Sequence, residues 1–150
     1  AAHETARLVS GLRAADSRMV VYGPSYTDPA LIAQLAGKDA VHGIRVSQIV
    51  PDLDDAKLPL ALDFRRHFAE RFPGERGNSH AFQGYIAARI IVQALQRCAD
   101  PQSAACLRDE LENTRHHDLG GLRVNYARDN HDGLSYLDIG MVSRSGRLLR

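Results

Sequence analysis

The strongest constraint in this chain is the order of its first fifty residues, where helical and strand patterns alternate twice. Residues 3–14 place Ala6, Leu8, Val9 and Leu12 at helical spacing, with Glu4 in the first turn. Arg18 to Tyr22 is a short apolar run stopped by Gly23-Pro24, the pattern of a buried strand. Thr27 or Asp28 then caps a helix that carries Pro29 in its first turn and runs to Gly37. Gly43 to Val50 alternates as a strand and stops at Pro51. Helix-strand-helix-strand is the grammar of a parallel sheet, because parallel neighbours need a crossover, usually a helix. The predicted class is α/β.

After Pro51 the grammar changes. A polar connection with Asp52, Asp54 and Asp55 reads as a solvated crossing, not a metal site. Pro59 to Phe72 sets Leu62, Phe64, Phe68 and Phe72 at helical spacing, most simply as core. Following the loop Gly74 to Asn78, a long helix spans about 80–97, capped by Asn78 or Ser79. It is apolar almost all round, which predicts burial over much of its surface. A shorter helix covers 103–113. The tail alternates at 122–126 and 134–142 around Asp129-Asn130-His131-Asp132-Gly133, predicting a hairpin or two crossing strands. The organisation is therefore an αβαβ segment over 1–50, a crossover at 51–58, a helical segment over 59–119 and a strand-rich tail over 120–150.

Charge and composition remove several functions. Nineteen basic and eighteen acidic residues leave a net charge of +1, with no electrostatic footprint for nucleic acid. Trp is absent and aromatic residues are 6 %, which disfavours single-strand stacking platforms. No apolar run approaches the ~20 residues needed to span a bilayer. The chain opens on Ala1-Ala2-His3-Glu4 without initiator Met or signal segment, and is read as processed, trimmed or excerpted. Cys98 and Cys106 have no zinc or redox spacing. They are either two buried thiols or a disulfide brought together by the turn residues 99–103; the disulfide would place the chain in an oxidising compartment.

Enzyme motifs are weak. Gly23-Pro24-Ser25-Tyr26-Thr27 sits where a nucleophile elbow would, but lacks its final Gly. A hydrolase would need Ser25 with partners such as Asp118 or Asp132 and His131. The alternative is that Ser25 and Tyr26 line a ligand cleft beyond a strand's carboxyl end, with a helix N-terminus favouring an anionic group. His116-His117-Asp118 is read as a solvated helix end, since adjacent side chains diverge. The 129–133 segment fails as a calcium loop, because Arg128 and Ile139 would occupy its first and twelfth positions. No P-loop or dinucleotide fingerprint occurs, and no cofactor is expected.

An ordered series of segments carries a resemblance. It comprises Val20-Val21-Tyr22-Gly23-Pro24, Gly43 to Pro51, the helix with Phe64 and Phe68, and Gly84-Tyr85-Ile86-Ala87-Ala88. It continues through Ala94-Leu95, Leu111, Gly120-Gly121, His131-Asp132-Gly133 and Gly146-Arg147. The chain resembles the C-terminal part of type I periplasmic solute-binding proteins, the leucine/isoleucine/valine-binding branch of ABC importers.

That resemblance implies parallel-sheet lobes with interlobe crossovers, of which this chain is an incomplete fragment. The 1–50 segment would belong to the second lobe and 59–119 to the first. The remaining N-terminal lobe, or a swapped partner chain, would complete the fold. The implied function is capture of a small amino-acid-like solute and delivery to a membrane permease in the periplasm, without catalysis. A sensing domain of the same fold is the alternative, and a Ser25 hydrolase the weaker one. The implied ligand-facing residues are Ser25, Tyr26, Ser79, His80 and Phe82. Ser25 stands where such proteins often carry an acid for the ligand's amino group, which points towards amides, aromatic acids or other carboxylates. A Cys98–Cys106 disulfide fits an exported protein.

Overall fold

The computed structural model describes residues 2–53, 57–145 and 147–149. Asp54 and Asp55 of the expected crossing, and Gly146, lie outside them. The chain forms two units, one built from Ala1–Ile49 with Leu137–Arg150 and the other from Val50–Tyr136.

In the first unit, α1 (Ala2–Ala14), β1 (Tyr22–Gly23), α2 (Pro29–Ala36), α3 (Lys38–Val41) and β2 (Arg45–Gln48) follow the expected order. The parallel pair is present, with Tyr22 opposite Arg45 and Gly23 opposite Val46. The short α3 has no periodic signal in the sequence; it follows directly on Gly37, whose φ of +88° ends α2. The strand expected over 18–22 shrinks to two residues. Val21 still accepts the Arg45 amide at 2.9 Å, but β1 is the sheet edge, so Met19 and Val20 have no ladder beyond them and stay exposed. The sheet runs β1-β2-β5-β6, where β5 is Asp138–Val142 and β6 is Leu148–Leu149. Both tail strands pair antiparallel, so the sheet is mixed.

Strand alternation sends Val46, Val142 and neighbouring Ile44 to one face, where Ala6 and Val9 of α1, Ile32 of α2 and Val41 of α3 close over them. Each of these Val and Ile side chains contributes roughly 1.5–3 kcal/mol by leaving water. Gly140 is required there, because a Cβ would run into the Leu148 side chain.

The second unit contains α4 (Pro59–Arg71), α5 (Ser79–Arg97), α6 (Ala104–Glu112), β3 (His117–Asp118) and β4 (Arg123–Val124). Its core joins Leu60, Ala61 and Phe64 of α4 to Phe82, Ile86 and Ile90 of α5, with Leu119, Leu122 and Val124 beneath. Phe64 lies 5.1 Å from Phe82 and 5.4 Å from both Phe68 and Tyr85, ring centre to ring centre. Phe64 is core, as its spacing predicts, and Phe68 is half-buried against it; Phe72, expected as core with them, is exposed at the end of α4. Cys98 and Cys106 form a disulfide, their Cα atoms 5.9 Å apart, joining the end of α5 to α6.

Other expectations in this unit resolve differently. The α5 helix buries the stripe Phe82, Ile86, Ile90 and Ala94, while Ile91 and Val92 are exposed. Of the two readings of 122–126 and 134–142, the hairpin is not formed: β4 pairs back with β3, while β5 joins β2 in the other unit. His116 and His117 do not end a helix. His116 has a φ of +48°, and His117 with Asp118 forms β3. The cause is local, since Asn113 already caps α6 and Tyr126 donates its amide to Thr114 O at 2.8 Å.

Candidate functional site

Ser25 and Tyr26 form the middle of a tight turn directly after β1. Thr27 donates its amide to Pro24 O at 2.8 Å and closes the turn. Gly23 is required at its mouth, because a Cβ would approach Thr27 Oγ1 to 2.6 Å. The turn leaves Tyr26 exposed and Ser25 half-buried. The amides at the start of α2 are not open to an external anion. Asp28 caps them, accepting from Ala30 at 2.9 Å and Leu31 at 3.1 Å through one oxygen. The anionic preference expected of this helix end is met by the protein itself.

Ser79, His80 and Phe82 occupy the first turn of α5 in the other unit. Asn78 is the N-cap, its side chain accepting from Ala81 N at 2.9 Å. The cap takes the third amide of the helix and leaves those of Ser79 and His80 at the helix mouth. Ser79 is half-buried and His80 exposed, whereas Phe82 is fully buried against Phe64. The loop before them packs tightly: a Cβ on Gly77 would strike the Phe64 ring at 2.7 Å. The five residues therefore fall into a hydroxyl pair on one unit and an α5 set on the other.

Asp118 and His131, two of the residues named as partners for Ser25, are engaged elsewhere. Asp118 accepts the amides of Gly120 at 2.9 Å and Gly121 at 2.6 Å, and these bonds hold its carboxyl below the usual carboxylate range. His131 Nε2 lies 3.4 Å from Glu112 Oε1. Among the described residues no histidine or carboxylate is hydrogen-bonded to Ser25. None of the described residues cluster as three or more potential metal ligands, and none of the described helices is long and apolar enough to cross a membrane.

Two features have no sequence signal. Thr114, the buried polar residue between α5 and α6, donates to Glu110 O at 2.8 Å and accepts from Arg97 at 3.2 Å, while Arg97 pairs with Glu110 at 2.8 Å. A groove of about 440 Å³ lies along α5 and α6, walled by Ile90, Ile91, Leu107, Leu111 and Tyr126. Both depend on how two helices pack, which single-helix periodicity does not specify.

A family model described as "Periplasmic binding protein" matches residues 1–147. A search of curated proteins returned no match. Among solved structures, the chain is similar to an extracellular ligand-binding receptor from Verminephrobacter eiseniae, at 27 % identity and a TM-score of 0.86, covering 97 % of this chain and 41 % of that one. It is also similar to a substrate-binding periplasmic protein from Ralstonia solanacearum, at 25 % identity and a TM-score of 0.85, covering 96 % and 41 %. A possible leucine/isoleucine/valine-binding protein from Rhodopirellula baltica shares the fold, with 22 % identity and a TM-score of 0.87 over 97 % and 40 %. The chain spans about two-fifths of the length of these structures and carries the corresponding part of the type I periplasmic-binding fold. These residues belong to the periplasmic binding protein family.

Proposed function

We propose that the chain is part of the solute-binding component of an ABC importer, working in the periplasm and delivering a small amino-acid-like solute to a membrane permease. The observation that carries this reading is the family match over residues 1–147. The relatives support it coarsely, being described as an extracellular ligand-binding receptor and a substrate-binding periplasmic protein. We assign the unit with the mixed sheet to the second lobe and the helical unit to the first.

In this reading Ser25 and Tyr26 offer hydroxyls from the turn after β1, and Ser79 and His80 offer side chains with two amides at the mouth of α5. Phe82 acts from behind, fixing the first turn of α5 through its packing on Phe64. Asp28 is spent on its own helix, and Ser25 is neutral, so the solute's ammonium group has no carboxylate in this turn. That favours amides, aromatic acids and other carboxylates over ordinary branched-chain amino acids. Capture proceeds by closure, because contacts from both lobes stabilise the closed state more than the open one. Catalysis has no support at Ser25, which lacks a base among the described residues. A fluorophosphonate probe should leave Ser25 unlabelled.

The test is an NMR titration of this chain with propionamide, benzoate and leucine in the millimolar range, leucine being the weakest expected of the three. Shift changes centred on Ser25, Tyr26, Ser79 and His80 are expected. Changes confined to other residues sink the site. Micromolar affinity by calorimetry would overturn the division of contacts between two lobes.

A further inference from the structure

The parallel pair β1–β2 brings a further side chain to the sheet edge that carries Ser25 and Tyr26. Gly23 lies opposite Val46, so two residues further along each chain Ser25 stands level with Gln48, the last residue of β2. Ligands of open α/β sheets sit beyond the carboxyl ends of parallel strands, and both residues are at such an end. Alternation also sets the face. Val46 turns to the side covered by α1, α2 and α3, so Gln48 turns the same way and Ser47 the opposite way. The chain from Ser25 to Asp28 runs into α2, whose Ile32 packs in one cluster with Val46. The turn and the Gln48 side chain thus share one edge and one face, within a single unit.

Hydrogen bonding and charge narrow what Gln48 can receive. It is half-buried, and its Nε2 donates to Ser47 O at 3.0 Å. Among the described residues its Oε1 accepts no hydrogen bond, so the amide keeps an acceptor oxygen and a second N–H for a guest. A carboxamide answers both, because it donates and accepts; a carboxylate only accepts and an ammonium only donates. Asp138 stands directly opposite Gln48 on β5 and, by alternation from Val142, on the same face. Its side chain accepts the Ile139 amide at 2.8 Å. A carboxylate at this edge repels an anionic guest and leaves a neutral one unaffected.

On the reading that Ser25 and Tyr26 face the ligand, on which this depends, we propose that Gln48 is a specificity-determining residue of the same site. Its Oε1 and remaining Nε2 hydrogen pair with a neutral carboxamide of the solute, beside the hydroxyls of the turn. Among the solutes that the turn favours, Gln48 and Asp138 together select amides over carboxylates.

The experiment titrates this chain, followed by NMR, with propionamide, propionate and propylammonium, which are similar in size and differ in charge. Propionamide is expected to bind tightest, moving the backbone signals of Ser25 and Tyr26 and the side-chain NH2 of Gln48. Gln48→Leu should weaken it about five- to tenfold, as the loss of paired hydrogen bonds implies. Gln48→Glu should reverse the order, so that propylammonium binds better than propionamide. Ser47→Ala, on the opposite face, should leave all three unchanged, and circular dichroism checks each fold. Equal propionamide affinity in the parent and Gln48→Leu overturns the role of Gln48 while the site at Ser25 and Tyr26 stands. Tighter binding of propionate or propylammonium by the parent overturns the selection of amides. Ser25 and Tyr26 unmoved by all three compounds overturn the proposal together with the reading beneath it.

Discussion

Asp28 and Asp118 solve the same problem at two chain reversals: each places one carboxylate oxygen on two backbone amides, and so satisfies donors that the turn leaves unpaired. At Asp118 those donors belong to Gly120 and Gly121, both at positive φ. Gly120 returns its carbonyl to the Leu60 amide at 3.1 Å, which ties the turn to the start of α4. The bonds favour the ionised acid, so its folded pKa lies below the unfolded value. The stabilisation is therefore present above the unfolded pKa of about 3.9, and it is lost as pH falls through the lower folded value. Asp118→Asn should be less stable than the parent near neutrality, and the two urea midpoints should converge in acid. A gap that stays constant with pH would show that the charge on Asp118 is not the source. In the sequence His116-His117-Asp118 read as a helix end, because the acceptor role of Asp118 depends on glycines that follow it.

At the scale of elements, α5 separates what periodicity reveals from what it does not. Its extent was legible, and its cap was narrowed to Asn78 or Ser79, since the pattern and the turn residues mark both ends; the structure gives the cap to Asn78. Which apolar side is buried was not legible, because two apolar sides look alike until a neighbour chooses one. The structure chooses the Phe82–Ile86–Ile90–Ala94 stripe. Phe82→Ala should cost about 3–5 kcal/mol through the cavity it leaves. Val92→Ala, on the exposed side, should stay within about 0.5 kcal/mol. Equal effects in denaturant titrations would mean that α5 is packed otherwise. The disulfide adds a covalent link to the α5–α6 pair already joined by Arg97, Glu110 and Thr114. Closing its short loop contributes about 2–3 kcal/mol on the chain-entropy account. Replacing both Cys98 and Cys106 by Ser should lower stability by that amount, and reductant should then have no further effect on the variant.

For the whole molecule, the αβαβ opening was readable because each of its elements packs on sequence neighbours. The fate of the tail was not, since β5 pairs with a strand some ninety residues upstream, and alternation alone cannot say which ladder a strand will join. That pairing governs when each unit becomes able to fold. The helical unit is one continuous stretch, and all of the residues it draws from this chain, Val50–Tyr136, are present once Tyr136 is in place. The sheet unit has all of α1 to β2 before Ile49, yet lacks the Val142 side chain of its core and the ladder along β2 until the tail arrives. A chain ending at Tyr136 should keep slowly exchanging amides in α5, while those of β2 exchange at nearly the rate of an unfolded chain. Protection of β2 in that truncated chain would refute the dependence. During synthesis, then, the elements α1 to β2 are finished only after the helical unit that follows them. Until residue 142 arrives β2 waits with one edge of its ladder open, and the closing of that ladder is timed by the tail more than by any property of residues 1–50.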